Sequence, residues 1–238
     1  MSSNIVGYEK IEVPVNKMDI VAVQFQGIGA DGFVNLQDIT VEGYGEEGSD
    51  WIKIFDPDTM TYITASYVGE DMGGVYTDDT YETSLGAGWA DEEQIAVDAT
   101  IHAGQGIWTQ SVTGGKLVVS GEVVSDNTVT VPANKMTIVA NPLPMAVNLQ
   151  DITVDGYGEE GSDWIKIYDP DTMTYITASY VGEDMGGVYT DDTYETSLGA
   201  GWADEEQIAV DARIEVGQGF WTQSVTGGKL VFPAIPEN

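Results

Sequence analysis

Apolar residues in this chain fall into short runs, and glycines and acidic turns separate them. Trp51-Ile52-Lys53-Ile54-Phe55 sets one polar residue among strand formers. Asp56-Pro57-Asp58-Thr59 follows with turn chemistry, since proline presets φ and aspartate side chains bond nearby amides. Residues 61–67 return to strand formers, so the stretch predicts a hairpin. Further strands are predicted at 20–25, 36–41, 75–81, 99–101, 107–110 and 116–119, with glycine-rich turns between them. Only 91–98 reads as a helical turn, with acids at its start. Many short strands at close spacing predict an all-β protein.

The pattern is written twice. Residues 34–119 return as 147–232 with seven differences: Glu42/Asp155, Phe55/Tyr168, Thr100/Arg213, His102/Glu215, Ala103/Val216, Ile107/Phe220 and Val119/Phe232. A solenoid repeats every 20–50 residues or so, and a unit this long is a domain. A weaker match extends upstream, where Val13-Pro14-Val15-Asn16-Lys17-Met18 corresponds to Val131-Pro132-Ala133-Asn134-Lys135-Met136. Between that match and the common block, copy one carries 24–33 and copy two only 142–146, so copy one should have the longer loop. The expected organisation is two tandem β-sandwich domains, jelly-roll or Ig-like, over 1–122 and 123–238.

Charge narrows the partners. Forty acidic residues against eight basic ones give a formal net charge of −32. Nucleic acid is a poor partner, because phosphate binding needs Lys and Arg to displace counterions, and an anionic membrane surface is disfavoured for the same reason. Two readings of the acid stay open: a solvating surface, or clustered oxygens for a hard cation such as calcium. The chain has no cysteine, so it forms no disulfide. No apolar run approaches the length of a membrane span. The opening Met1-Ser2-Ser3-Asn4 fits either a cytoplasmic start or a mature exported chain with an added Met1, and the expected location, extracellular or cell-surface, follows the second reading.

Catalytic chemistry finds few groups. The single histidine, His102, is Glu215 in the second copy, so a histidine site would exist only once. One His and no Cys leave almost no ligands for zinc, copper or haem. Gly104-Gln105-Gly106 lacks the third glycine and following helix of a dinucleotide loop. The expectation is a non-enzyme without an organic cofactor. The calcium candidates are Asp71, Asp78, Asp79 and Glu82, repeated as Asp184, Asp191, Asp192 and Glu195. Glu46, Glu47 and Asp50 form a second acidic group, repeated as Glu159, Glu160 and Asp163. Asp56 and Asp58 read first as turn caps. For a glycan, exposed tyrosines beside acids are the candidates: Tyr76 and Tyr81, with Tyr189 and Tyr194. Trp51 and Trp108 lie inside apolar strands and are expected in the core.

Five of the seven differences fall between 100 and 119. They suggest that the copies meet unlike neighbours there and at 24–33. The interface candidates are therefore Thr100, His102, Ala103 and Ile107, with Arg213, Glu215, Val216 and Phe220. Tandem modules with such contacts can build a homo-oligomer or an open polymer.

Asn16-Lys17-Met18-x-Ile20-Val21, Trp51-x4-Asp56-Pro57-x-Thr59-x-x-Tyr62, Gly88-Trp89, Gly104-Gln105-Gly106-Ile107-Trp108 and the closing Leu117-Val118 occur in this order. The set resembles a loosely defined group of secreted bacterial surface proteins with tandem β-rich domains. The resemblance implies export and a β module, and it implies no reaction. Met60 stands where those domains commonly carry a turn glycine. The expected function is a non-enzymatic extracellular structural or interaction protein: a self-assembling subunit of a surface layer, appendage or filament, dependent on calcium. The alternative is a carbohydrate-binding or adhesive tandem module, and a third reading is a virion decoration protein.

Overall fold

The computed structural model describes residues 6–28, 32–43, 50–123, 126–156 and 163–234. Regular structure there consists of strands and four short 3-10 turns, so the protein is all-β. Residue contacts group into two compact units, the first formed by Met1–Asp56 and Thr61–Ser125 and the second by Asp126–Asn238 with Pro57–Met60.

In the first unit a five-stranded antiparallel sheet runs Gly88–Ala90, Thr61–Val68, Trp51–Asp56, Gly106–Ser111, Lys17–Ala22 in spatial order. The predicted hairpin sits at its centre, paired from Trp51↔Ser66 to Asp56↔Thr61. A second sheet is organised by the long strand Gly115–Val123, which pairs with Val6–Val13 along the latter's whole length and with Thr40–Glu42 and Phe25–Gln26. Side chains alternate across a strand. Ile11, Val13, Leu117 and Val119 from this sheet therefore meet Val21, Ile52, Ile54 and Ile107 from the five-stranded sheet in one core. Burying each such side chain contributes about 1.5–3 kcal/mol.

The second unit repeats the arrangement with Lys135–Ala140, Gly219–Ser224, Trp164–Asp169, Thr174–Val181 and Gly201–Ala203 in its large sheet. Thr128–Val131, Gly228–Val231 and Thr153–Asp155 form the smaller one. Val131, Leu230 and Phe232 meet Val139, Ile165, Ile167 and Phe220 inside it.

Three expected elements come out differently, each for a local reason. The stretch 36–41 opens as a 3-10 turn, Leu36–Asp38, closed by the Ile39 amide donating to Leu36 O; the Asn35 side chain also accepts the Gln37 amide at 2.8 Å, and the matching turn Leu149–Asp151 forms without that cap. That turn sends the Gln37 side chain inward. It donates to Trp89 O (2.6 Å) and Val97 O (2.9 Å) and accepts Trp89 N (3.1 Å). Gln150 makes the same three bonds to Trp202 and Val210. The indoles of Trp89 and Trp202 are fully buried, donating to Ile39 O at 2.8 Å and Ile152 O at 2.9 Å. The stretch 75–81 is a strand only over Val75–Tyr76. The stretch 91–98 is not helical: Asp91 Oδ1 takes the amides of Glu93 (3.0 Å) and Ile95 (2.9 Å), and Gln94 turns left-handed at φ 63°.

Candidate functional site

The aromatic residues divide between two faces of the five-stranded sheet. Ile52, Ile54 and Ile107 point to the core, so by alternation Trp51, Lys53 and Trp108 point to the other side. Strand register completes this outward face. Lys53 lies directly opposite Trp108 on one neighbouring strand and Thr64 on the other, and directly opposite residues share a face. Trp51 lies opposite Ser66, and Phe55 opposite Tyr62. Trp51 is only half-buried there, which corrects its expected place in the core, whereas Trp108 is buried as expected, at 8% exposure, but on the outward side of the sheet. The signal was present in Trp-Ile-Lys-Ile-Phe, where the two isoleucines alternate with the lysine and the two rings.

The rings on this face are organised by one another. Phe55 and Tyr62 pack edge to face with centroids 5.2 Å apart, and Tyr168 and Tyr175 lie at the same separation. Burial raises the Tyr62 phenol above its ordinary range, and a hydrogen bond from Trp108 partly offsets this. The Lys53 ammonium sits 4.6 Å from the Trp51 ring centroid, and that of Lys166 sits 4.8 Å from Trp164. Trp51, Trp164 and Trp221 are half-buried, Tyr62 and Tyr175 are exposed, and Thr64 and Thr177 are exposed between the rings and the sheet edge. In the second unit the face continues into a cleft of about 290 Å³ lined by Thr177, Ser179, Ala203, Asp204, Glu205 and Glu206. Half-buried indoles, hydroxyls, carboxylates and an ammonium thus adjoin one another. This set can stack on the C–H face of a sugar ring and bond its hydroxyls.

The calcium candidates are not drawn together. Among the described residues no three His, Cys, Asp or Glu side chains form a metal-sized group. Asp71, Asp78, Asp79 and Glu82 are all exposed, as are Asp184, Asp191, Asp192 and Glu195. Asp78 takes the Thr80 amide at 3.0 Å and also the Thr80 hydroxyl, and these bonds hold its carboxyl below the ordinary range. Asp191 and Thr193 repeat the turn. Glu46, Glu47, Glu159 and Glu160 lie outside the described residues. Asp163 is fully buried and accepts Val225 N at 2.7 Å and Ser224 Oγ at 2.9 Å, while the buried Asp50 accepts Val112 N at 2.7 Å. These two carboxylates close a turn. At the central hairpin Asp169 accepts Asp171 N and Thr172 Oγ1, both at 2.8 Å, which is the capping expected of its counterpart Asp56.

The tyrosine candidates do meet. Tyr76 and Tyr81 pack edge to face at 5.2 Å, as do Tyr189 and Tyr194. Tyr81 and Tyr194 are about half exposed and adopt a left-handed backbone at φ 56°, uncommon for a bulky residue.

Three of the seven differing pairs, Phe55/Tyr168, Ile107/Phe220 and Val119/Phe232, are buried within their units. Ile107 and Phe220 are fully buried in their cores, which removes them as surface contacts and corrects their place among the interface candidates. Thr100, His102, Arg213 and Glu215 are exposed, Val216 is half exposed and Ala103 is partly covered. His102 packs on Phe33, with centroids 4.2 Å apart, so the longer loop of copy one and the changed strand touch each other. Copy two places Arg213 beside Glu215 at 3.5 Å. Its shorter loop is stitched by Asn141, which donates to Met145 O at 2.8 Å and accepts Leu143 N at 3.0 Å.

No protein-family model, curated protein or solved structure matches this chain. Among the described residues no helix is long and apolar enough to cross a membrane.

Proposed function

We propose that this chain is a non-enzymatic, extracellular binding protein of two tandem β-sandwich modules, each holding a glycan on the outward face of its five-stranded sheet. The sandwich reading is supported by the single core that two sheets share in each unit. The glycan reading is carried by one observation: in both copies, half-buried or covered indoles share that face with exposed hydroxyls and an ammonium. Two such faces on one chain raise avidity for a repeating polymer by mass action alone. The acidic surface serves solubility in this reading, and its aspartates serve turns, as Asp78, Asp91 and Asp169 do.

A glycan array followed by calorimetric titration tests the proposal. Trp51→Ala with Trp164→Ala should weaken the selected glycan at least tenfold, with an unchanged far-ultraviolet dichroism spectrum. Stacked aromatic anchors typically carry this much of a binding energy. Calcium-dependent growth into large particles without any glycan binding would favour the self-assembling subunit instead.

A further inference from the structure

We infer that the glycan held on these faces is acidic, with its carboxylate taken by Lys53 in the first unit and Lys166 in the second. The inference rests on the proposed glycan face and adds the ligand's charge.

Cations are scarce here, at eight against forty acids. Lys10 is paired with Glu42 at 2.7 Å, Lys116 with Glu12 at 2.6 Å and Arg213 with Glu215 at 3.5 Å. Lys53 and Lys166 are placed differently. Among the described residues their ammonium groups lie over Trp51 and Trp164 rather than in an ion pair. The register sets a second indole, Trp108 or Trp221, on one side and a threonine, Thr64 or Thr177, on the other. An indole face attracts an ammonium by about 0.5–1 kcal/mol at an exposed site and satisfies none of its three N–H donors with a lone pair. Each face therefore offers one directed positive charge, embedded in aromatic surface, in a chain that is otherwise a strong anion.

A uronic acid matches that arrangement in charge and in shape. Its ring has an apolar C–H face for the indole, and its single carboxylate projects from the ring edge toward one ammonium. Its hydroxyls would find partners in Thr177, Ser179 and the acceptor carboxylates of Asp204, Glu205 and Glu206, which line the adjoining cleft of the second unit. One lysine per face suits one carboxylate per bound sugar, whereas densely sulfated chains call for clustered cations and bidentate arginines. The faces of the two units share their lysine, indoles and threonine and differ at Phe55/Tyr168, and such a near-repeat suits a polymer that repeats its carboxylate.

The experiment titrates the full chain with polygalacturonate and with the same polymer after carboxyl reduction, which leaves the ring faces and removes the charge. The acidic polymer should bind at least tenfold more tightly. Lys53→Gln with Lys166→Gln should abolish that preference while keeping the weaker binding to the reduced polymer. Both titrations are run at about 0.15 M salt or above, where the long-range repulsion between the −32 chain and the acidic polymer is largely screened. Equal binding of both polymers, or a preference untouched by the lysine changes, overturns the acid assignment. If that equal binding is lost in Trp51→Ala with Trp164→Ala, the glycan face itself still stands. Binding to neither polymer overturns the acid assignment. Failure of a full glycan array would overturn the glycan face as well.

Discussion

Glu9 should make the first unit more stable in mild acid than in mild base. It lies on strand Val6–Val13, on the side that carries Ile11 and Val13 into the core. Burial pushes its carboxyl up to about 7, and the Gln24 amide, donating at 3.4 Å, offsets this only in part. The folded protein therefore binds a proton at Glu9 more tightly than the unfolded chain does. Below the ordinary glutamate range both states are protonated and the site costs nothing. As pH rises through 4.5 toward 7, the unfolded chain loses its proton first and the fold loses stability. Above 7 the penalty is complete, at about 3 kcal/mol by linkage. Copy two carries an internal comparison. The residue matching Glu9 is Asn127, whose amide donates to Phe232 O at 2.5 Å, a bond an ionised carboxylate cannot make. Glu9→Gln should accordingly stabilise the first unit by about 2 kcal/mol at pH 8, allowing for imperfect fit of the new amide, and by little at pH 5. At about 3–6 °C per kcal/mol for a unit of this size, the first calorimetric transition should rise by roughly 10 °C at pH 8, and the second should not move. A gain of equal size at both pH values, or a loss at pH 8, would refute the reasoning.

Two further outcomes follow from side chains that bond backbone. Gln150→Ala leaves the carbonyls of Trp202 and Val210 and the amide of Trp202 without the Gln150 partner, and urea unfolding should show the second unit weakened by about 2–4 kcal/mol. Met173 is three-quarters exposed with φ 57°, where glycine is freer, so Met173→Gly should raise the melting temperature by an amount matching about 0.5 kcal/mol. A fall would show that the methionine side chain holds the hairpin tip.

Strands and duplication were legible because their signals are local. Trp51–Asp56, the turn after it and Thr61–Val68 can be read from adjacent residues alone. The site was less legible, because which face of a strand is inward depends on partners far away. Trp51 and Trp89 are the same residue type in similar apolar settings. One lies on the outer face, and the other is sealed by Gln37, whose role arises only from contacts more than 50 residues away. Met60 was visible as an oddity against a turn glycine, and its left-handed backbone at φ 57° explains why glycine would suit that position. The buried mismatch Ile107/Phe220 belongs to the cores, and the Phe33–His102 contact spans about 70 residues, a pairing that no local pattern encodes.

Ile107 and Phe220 also act on folding fidelity. Two nearly identical sequences on one chain invite strand exchange, a characteristic error of tandem repeats. A Gly106–Ser111 strand placed in the second unit would leave a void where Phe220 belongs, and Gly219–Ser224 placed in the first would crowd the space of Ile107. Each fault costs about 1–3 kcal/mol. Val119 and Phe232, buried beside them in the same two cores, repeat the distinction. In a chain whose copies share nearly every letter, side-chain volume at two interior positions serves as an address that returns each strand to its own half.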